Sequence, residues 1–148
     1  MSDIKVEGLD KLMKKLGELR EDSDTIIEKG LLRGAERVSA AAKLRCPVSS
    51  GELRNSIHTE KTAPLTVSVG TNLEYAVPVE YGTGTKGDPA VPHTQKEFWR
   101  WQDAEGNWHT SHGQEAQPFL RPAVAAQKDN VIKDVNDVVR SAINGRSE

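Results

Sequence analysis

The longest regular pattern of apolar positions in the chain lies between residues 25 and 45. Apolar side chains recur there at intervals of three or four residues, at Ile27, Leu31, Ala35, Val38 and Ala41 or Ala42. This spacing marks one face of an α-helix, which Cys46-Pro47 would end because proline lacks an N–H. Gly30 and Gly34 interrupt the pattern at a cost of about 1 kcal/mol each relative to alanine. Their small size predicts close approach of another backbone.

A different period follows the helix. In residues 65–70, Leu65, Val67 and Val69 alternate with Thr66 and Ser68, which is the two-residue repeat of a half-buried strand. Residues 55–61 have a composition that also allows a strand, and Thr62-Ala63-Pro64 supplies a turn. The sequence therefore predicts an antiparallel hairpin of residues 55–61 and 65–70, with residues 47–57 connecting it to the long helix.

Two further helices are predicted, one near each end. Residues 9–19 repeat with helical spacing behind a short extended lead, and residues 122–143 carry an apolar face of Val124, Val131, Val135, Val138 and Ala142. Pro122 suits the first turn of a helix, where its missing N–H costs nothing. We expect one α+β domain, residues 1–148, in which the long helix and the C-terminal helix pack on an antiparallel sheet. Residues 73–83 read as an edge strand or a short irregular helix, because Pro78 excludes a central strand.

Residues 84–116 differ in composition from the rest of the chain. All three tryptophans lie here, at Trp99, Trp101 and Trp108, together with Phe98 and a cluster of glycines and prolines. Residues 98–102 and 108–112 flank a glycine-containing turn, which predicts an aromatic hairpin on an inserted arm. The hypothesis is that Phe98, Trp99, Trp101 and Trp108 anchor contacts with another subunit or protein. The alternative is a hairpin folded back over its own core.

Composition narrows the class of protein. With 148 residues, 36 % hydrophobic and 28 % charged, the chain has enough material for one core. A formal net charge of −2 gives no global basic field for nucleic acid. The single cysteine, Cys46, reads as a packed side chain. No apolar run approaches a membrane span and no apolar signal region opens the chain, so we expect a cytoplasmic product.

Candidate chemistry is sparse. His109 and His112 are three residues apart, but on a strand this spacing places them on opposite faces. Gly82-Thr83-Gly84-Thr85-Lys86-Gly87 lacks the spacing of a phosphate loop. Asp103 and Glu105 read as solvated turn residues. We therefore expect no catalytic, cofactor-binding or metal-binding residues. The competing classes are a metal-dependent hydrolase using His109 and His112, and a DNA-binding module using Lys43, Arg45 and Arg54.

Three charged residues stand among apolar neighbours: Arg54, Glu80 and Arg121. An arginine fork suits a carboxylate bidentately, so an opposite-charge pair among the three is expected. We interpret them as structural or interface residues without a role in bond-making.

Three segments in order resemble one phage family. They are Pro47-Val48-Ser49-Ser50-Gly51-Glu52-Leu53-Arg54-Asn55-Ser56-Ile57, then Tyr75-Ala76-Val77-Pro78-Val79-Glu80-Tyr81-Gly82-Thr83, then Gln117-Pro118-Phe119-Leu120-Arg121-Pro122-Ala123. Together with Val6-Glu7-Gly8-Leu9-Asp10-Lys11-Leu12, they resemble the tail-component or tail-completion (neck) proteins of long-tailed, non-contractile bacteriophages and prophages. Ser50 stands where the family usually has threonine, which keeps the hydroxyl.

This resemblance implies a small α+β protein that acts without catalysis at the head–tail junction, joining the tail to the head connector. The alternative within the class is a tail terminator or minor tail protein that caps the tail tube. The implied partners are other copies of the chain in a ring, a hexamer, and the neighbouring neck, connector, tail-tube or terminator proteins. DNA would meet it only by passing through the ring lumen. No cofactor, small-molecule substrate or membrane is implied. The implied location is the host cytoplasm during assembly and then the virion.

Overall fold

A computed structural model describes Lys11, Lys14, residues 23–49 and residues 51–145. The helix predicted over residues 9–19 and its extended lead lie outside this part of the chain, apart from two helical positions, Lys11 and Lys14. The described elements are helices and two antiparallel hairpins, which confirms the α+β class.

Helix α1 spans Ser23–Arg45. The face of α1 predicted to be apolar is the face that is buried. At the C-terminal end of the helix, the Cys46 N–H donates to the carbonyl oxygen of Ala42 at 2.9 Å. Cys46 itself is packed in the core, as predicted, and burial raises the pKa of its thiol. Pro47 then prevents continuation of the helix.

The C-terminal helix, α4 (Leu120–Asn144), packs along α1 at very short range. A Cβ added to Gly30 would lie 2.8 Å from the Cα of Val135, and one added to Gly34 would lie 2.7 Å from Cγ1 of Val131. The predicted close approach at these glycines is therefore confirmed, and its partner is α4. Pro122 lies in the first turn of α4, also as predicted.

The first hairpin consists of β1 (His58–Ala63) and β2 (Thr66–Gly70), with Thr59 paired to Val69 and Lys61 to Val67. It packs on α1. The predicted hairpin is confirmed, but the start of its first strand is wrong. Residues 55 and 56 belong to a five-residue helix, α2 (Glu52–Ser56), which begins after Gly51 in the left-handed region at φ 80°. Leu53 and Ile57 are buried four residues apart, and a single helical turn puts them on one side.

Of the two structures predicted for residues 73–83, an edge strand or a short helix, the helix is found: α3 spans Ala76–Tyr81. After it come a 3₁₀ turn (Gly84–Lys86) and the second hairpin, β3 (Trp99–Gln102) and β4 (Trp108–Ser111), as predicted for the aromatic segment. The two hairpins share no strand, so the described sheets have two strands each. We call residues 84–116 the arm and the remaining described elements the body.

The body has two apolar clusters. The larger joins α1, α2, α3 and the start of α4; its buried members are Val38, Ala41, Ala42, Cys46, Leu53, Ile57, Ala76, Phe119 and Ala123. The smaller joins the first half of α1 to the second half of α4, through Ile26, Ile27, Val135 and Val139. Of the apolar face predicted for α4, Val135 is buried, whereas Val124 is half exposed.

Candidate interaction surfaces

Glu80 and Arg121, two of the three charged residues selected from the sequence, form an ion pair at the start of α4. The Arg121 Nε lies 3.0 Å from Oε1 of Glu80, whose side chain is buried. The same carboxylate accepts the backbone N–H groups of Phe119, Leu120 and Arg121 at 2.8, 2.9 and 3.0 Å. The first turn of a helix leaves such N–H groups without partners, and the next residue, Pro122, has none to satisfy. Glu80 therefore caps α4 from another helix.

The charge state of Glu80 follows from these contacts. Burial on its own raises the pKa of a carboxyl, but the N–H groups of Phe119, Arg121 and Leu120 and the Arg121 guanidinium favour the anion. The net result is a pKa below the ordinary value, so Glu80 is a stable carboxylate. Its negative charge also complements the positive end of the α4 dipole.

Arg121 extends this network to the start of the arm. Its Nη1 donates to Oδ2 of Asp88 at 2.8 Å, and its Nη2 donates to the carbonyl oxygen of Glu80 at 3.1 Å. Its guanidinium carbon lies 4.5 Å from the centre of the Tyr81 ring. The hydrogen bond from Arg121 lowers the pKa of Asp88, and the Ala90 N–H adds to it. One side chain thus joins α3, α4 and the first residues of the arm.

The two ends of the arm lie side by side. Thr83 and Gln114 exchange backbone hydrogen bonds, at 2.8 Å from the Thr83 N–H and 3.1 Å from the Gln114 N–H. Gly82, at φ 72°, leaves no room for a side chain, since a Cβ there would lie 2.6 Å from the Gln114 carbonyl oxygen. The arm therefore leaves and rejoins the body at one fixed point.

Beyond this point the arm carries its aromatic residues outward. Trp99 is half-buried and lies against Gly84, where an added Cβ would be 3.1 Å from the indole. Phe98, Trp101 and Trp108 are 58 %, 48 % and 61 % exposed. These values contradict the alternative of a hairpin folded back over its own core. Whether the four aromatics serve as interface anchors stays a prediction.

The two faces of the second hairpin each carry one exposed tryptophan. Trp101 stacks on His109, with ring centres 4.6 Å apart, and the two are paired across the strands. On the other face, the guanidinium of Arg100 lies 5.3 Å from the centre of the Trp108 ring. Period-two alternation along β3 and β4 produces this division.

His109 and His112 do not contact each other. Nε2 of His109 lies 2.7 Å from Oδ2 of Asp103, while His112 lies beside Phe98, with ring centres 6.2 Å apart. The contact with His109, followed by the Asn107 N–H, lowers the pKa of Asp103. Within residues 23–49 and 51–145, no three His, Cys, Asp or Glu side chains are grouped as metal ligands.

Arg54 is exposed on α2 and does not join the Glu80–Arg121 pair. The structure shows a second ion pair that was not predicted, in which exposed arginines bind a buried carboxylate. Arg37 Nε and Nη2 donate to the two carboxylate oxygens of Asp134 at 2.7 and 2.9 Å. Arg33 Nε lies 3.5 Å from Oδ1 of the same carboxylate. Asp134 is buried, and the hydrogen bond from Arg37 lowers its pKa. A sequence signal existed, since Asp134 stands within the apolar stripe of α4 and Arg33 and Arg37 are one helical turn apart.

The body has an open apolar groove of about 270 Å³ between α1, β2 and α4. Its lining is aliphatic except for one lysine and comprises Leu31, Ala35, Val38, Val67, Val69, Val124, Lys128 and Val131. A more polar cleft of about 170 Å³ lies beyond the C-terminal end of α1, near Pro47, Tyr75 and Gln117. In the described part of the chain, no helix has the length and hydropathy of a membrane span.

Comparison with known proteins identifies one family. Residues 10–82, about half of the chain, match the model of the family described as "Bacteriophage HK97-gp10, putative tail-component". This range contains the predicted motif at residues 47–57 and nearly all of that at residues 75–83, so the resemblance to a phage tail-component family is confirmed. The third motif, residues 117–123, and the arm lie outside it. No curated protein and no solved structure matched the chain.

Proposed function

We propose that this chain is a structural protein of the head–tail junction, on the basis of the match of residues 10–82 to the HK97-gp10-like phage tail-component family. In this role it completes the tail and joins it to the head connector, without catalysis. It assembles with copies of itself into a ring, a hexamer, whose lumen passes DNA. Its other partners are the adjacent neck or connector proteins and the tail-tube or terminator proteins. It is made in the host cytoplasm and ends in the virion.

The family match carries this proposal, and the organisation of the charged residues supports it. Glu80 has all its close contacts to the start of α4, and Arg121 holds Asp88 and Tyr81. A catalytic carboxylate needs access to a substrate and a pKa suited to proton transfer. Glu80 is buried and its pKa is lowered, so its contacts suit a fixed joint between the body and the arm.

The exposed aromatic residues point in the same direction. Aromatic and arginine side chains are enriched at the cores of protein interfaces. The arm presents Trp101, Trp108 and Arg100 outside the body, on a hairpin whose ends are fixed. An assembly protein uses such side chains to bind neighbouring subunits.

The test is removal of the chain from the phage or prophage that encodes it. We expect lysates to contain filled heads and separate tails, and supply of the intact chain to restore joined particles. Gold-labelled antibody should then mark the neck in electron micrographs. Label at the end of isolated tails, with normal tail length lost on removal, would instead identify a tail terminator. Normal infectious particles without the chain would refute a structural role.

A further inference from the structure

The same chain carries an exposed aromatic hairpin and an apolar groove that its own arm leaves uncovered. Trp108 is 61 % exposed, and the groove between α1, β2 and α4 remains open to solvent. Neither surface is covered by another part of residues 23–49 and 51–145. A ring in which each subunit contacts the next through different patches would cover both surfaces in every copy.

The charges next to the two surfaces are opposite. Lys128 is the charged residue among those that line the groove. The turn of the arm, immediately before Trp108, contains Asp103 and Glu105, and Glu105 is exposed. Together with Arg100, whose guanidinium lies over the Trp108 ring, Asp103 and Glu105 give the tip of the arm a net charge of −1, opposite in sign to the Lys128 ammonium group beside the groove. Complementary charges of this kind fix the register of an interface more than they add to its affinity.

We infer that Trp108, near the tip of the arm, docks into the apolar groove of a second copy of this chain, with Glu105 beside the partner's Lys128. This inference deepens the proposed ring and rests on it. The groove suits the tip because α1 forms a floor on which both β2 and α4 pack, leaving walls on two sides. A hairpin with an aromatic residue on each face is covered by such walls.

The area involved predicts a weak contact for the free protein. A fully covered aromatic side chain removes about 150–250 Å² from water, and those of the arm are already about half covered. Arm docking alone therefore stays below the roughly 1,200 Å² of a stable interface. We expect the purified chain to associate reversibly, and more at higher concentration.

A disulfide pair tests the contact directly. Glu105→Cys combined with Lys128→Cys should give, on mild oxidation, a ladder of dimers, trimers and larger species on non-reducing gels. The native Cys46 is buried and leaves the background low. The matched control is Glu105→Cys with Ala126→Cys, because residues two apart on a helix do not share a face. A ladder no stronger than the control, or a disulfide closed within one chain, would overturn the inference.

Association measurements provide the second test. By light scattering across a concentration series, Trp108→Ala and Val124→Glu should each weaken self-association at least tenfold. Ala126→Glu, which adds the same charge to α4, and Thr110→Ala, on the same strand as Trp108, should change it less than twofold. Lys128→Glu should weaken it, and Glu105→Lys in the same chain should restore it. Unchanged association of Trp108→Ala, or a wild type that stays monomeric at all concentrations, would refute the contact.

These results are separable from the test of function. A chain that marks the neck and joins heads to tails, yet forms no ladder, keeps the proposed function and loses the arm contact. A chain that forms the ladder but never enters particles keeps the contact between copies and loses the head–tail role.

Discussion

In the body, α1 and α4 approach so closely that Gly30 has no room for a methyl group, and the buried carboxylates of Glu80 and Asp134 are fully contacted. In the arm, three aromatic side chains are about half exposed on two isolated strands. The body pairs its buried carboxylates internally, whereas the arm leaves aromatic side chains, a type enriched at interface cores, facing solvent. We propose that the body supplies stability and that the arm supplies contacts with neighbouring subunits.

Among the substitutions considered, removal of the charge of Glu80 should reduce the stability of the body most. Glu80→Gln should lower the free energy of unfolding by about 1–3 kcal/mol, because a neutral amide oxygen accepts from the α4 N–H groups and from Arg121 less strongly than a carboxylate does. Arg121 is 42 % exposed and keeps its contact with Asp88, so its charge is not left buried and unpaired. Urea denaturation measures the loss. Glu74→Gln, at an exposed position just before α3, should be nearly neutral. Full stability and full assembly of Glu80→Gln would contradict the structural role.

The helix interface should be the next most sensitive feature. Gly30→Ala places a Cβ 2.8 Å from the backbone of Val135, so α1 and α4 must separate. Overpacking costs about 1–3 kcal/mol, of which the better helix propensity of alanine offsets up to about 1 kcal/mol. Thermal unfolding should therefore show a lower midpoint. Gly70→Ala, where nothing lies within 4 Å, is the control; an equal loss there would mean that close packing is not the cause.

Acid should destabilise the body through its two buried carboxylates, Glu80 and Asp134. The pKa values of Glu80 and Asp134 are lowered on folding, so their contribution is present above the ordinary carboxyl pKa and is lost as the pH falls through the lower folded values. Each carboxyl changes the slope of unfolding free energy by at most about 1.4 kcal/mol per pH unit. Between roughly pH 5 and pH 2, the free energy of unfolding should therefore fall less steeply with decreasing pH in Asp134→Asn than in the wild type. An unchanged slope would exclude Asp134 as a source.

The smallest effects on stability should come from the exposed tryptophans. Trp101→Ala and Trp108→Ala should each change the free energy of unfolding by less than about 0.5 kcal/mol, as exposed positions usually do. Trp99→Ala should cost more, because this indole packs against Gly84.

Removing residues 96–113 and joining the ends with a short Gly-Ser bridge should leave a folded body that no longer assembles. A variant without these residues that still forms infectious particles would show that the arm is not the interface.

Local sequence patterns predicted the parts of the fold that are themselves local. The period of residues 25–45, the alternation of residues 65–70 and the aromatic strands around a glycine turn were all found where expected. Helix α2 was missed because five residues are too few to show a helical period. The glycine at position 51 and the four-residue spacing of Leu53 and Ile57 were the signals available in the sequence.

The contacts that build the charged sites are not local, so the sequence indicated an opposite-charge pair among Arg54, Glu80 and Arg121 but not the other contacts of these sites. Asp134 pairs with Arg37 97 residues away, and Glu80 binds N–H groups about 40 residues further along the chain. Sequence spacing indicated that Glu80 and Arg121 were unusual among apolar neighbours and that an ion pair was expected. It contained no information that the pair forms the cap of a helix, or that Arg54 lies elsewhere.

The paired backbones of Thr83 and Gln114 have a consequence for how such a protein diversifies. Because the chain leaves and returns at one point, everything between these residues behaves as a cassette. Another segment whose two ends lie as close together as Thr83 and Gln114 could replace it without disturbing α1 or α4. Exchange of this segment would then change which neighbouring protein is bound, while the body would keep its structure and its ability to fold.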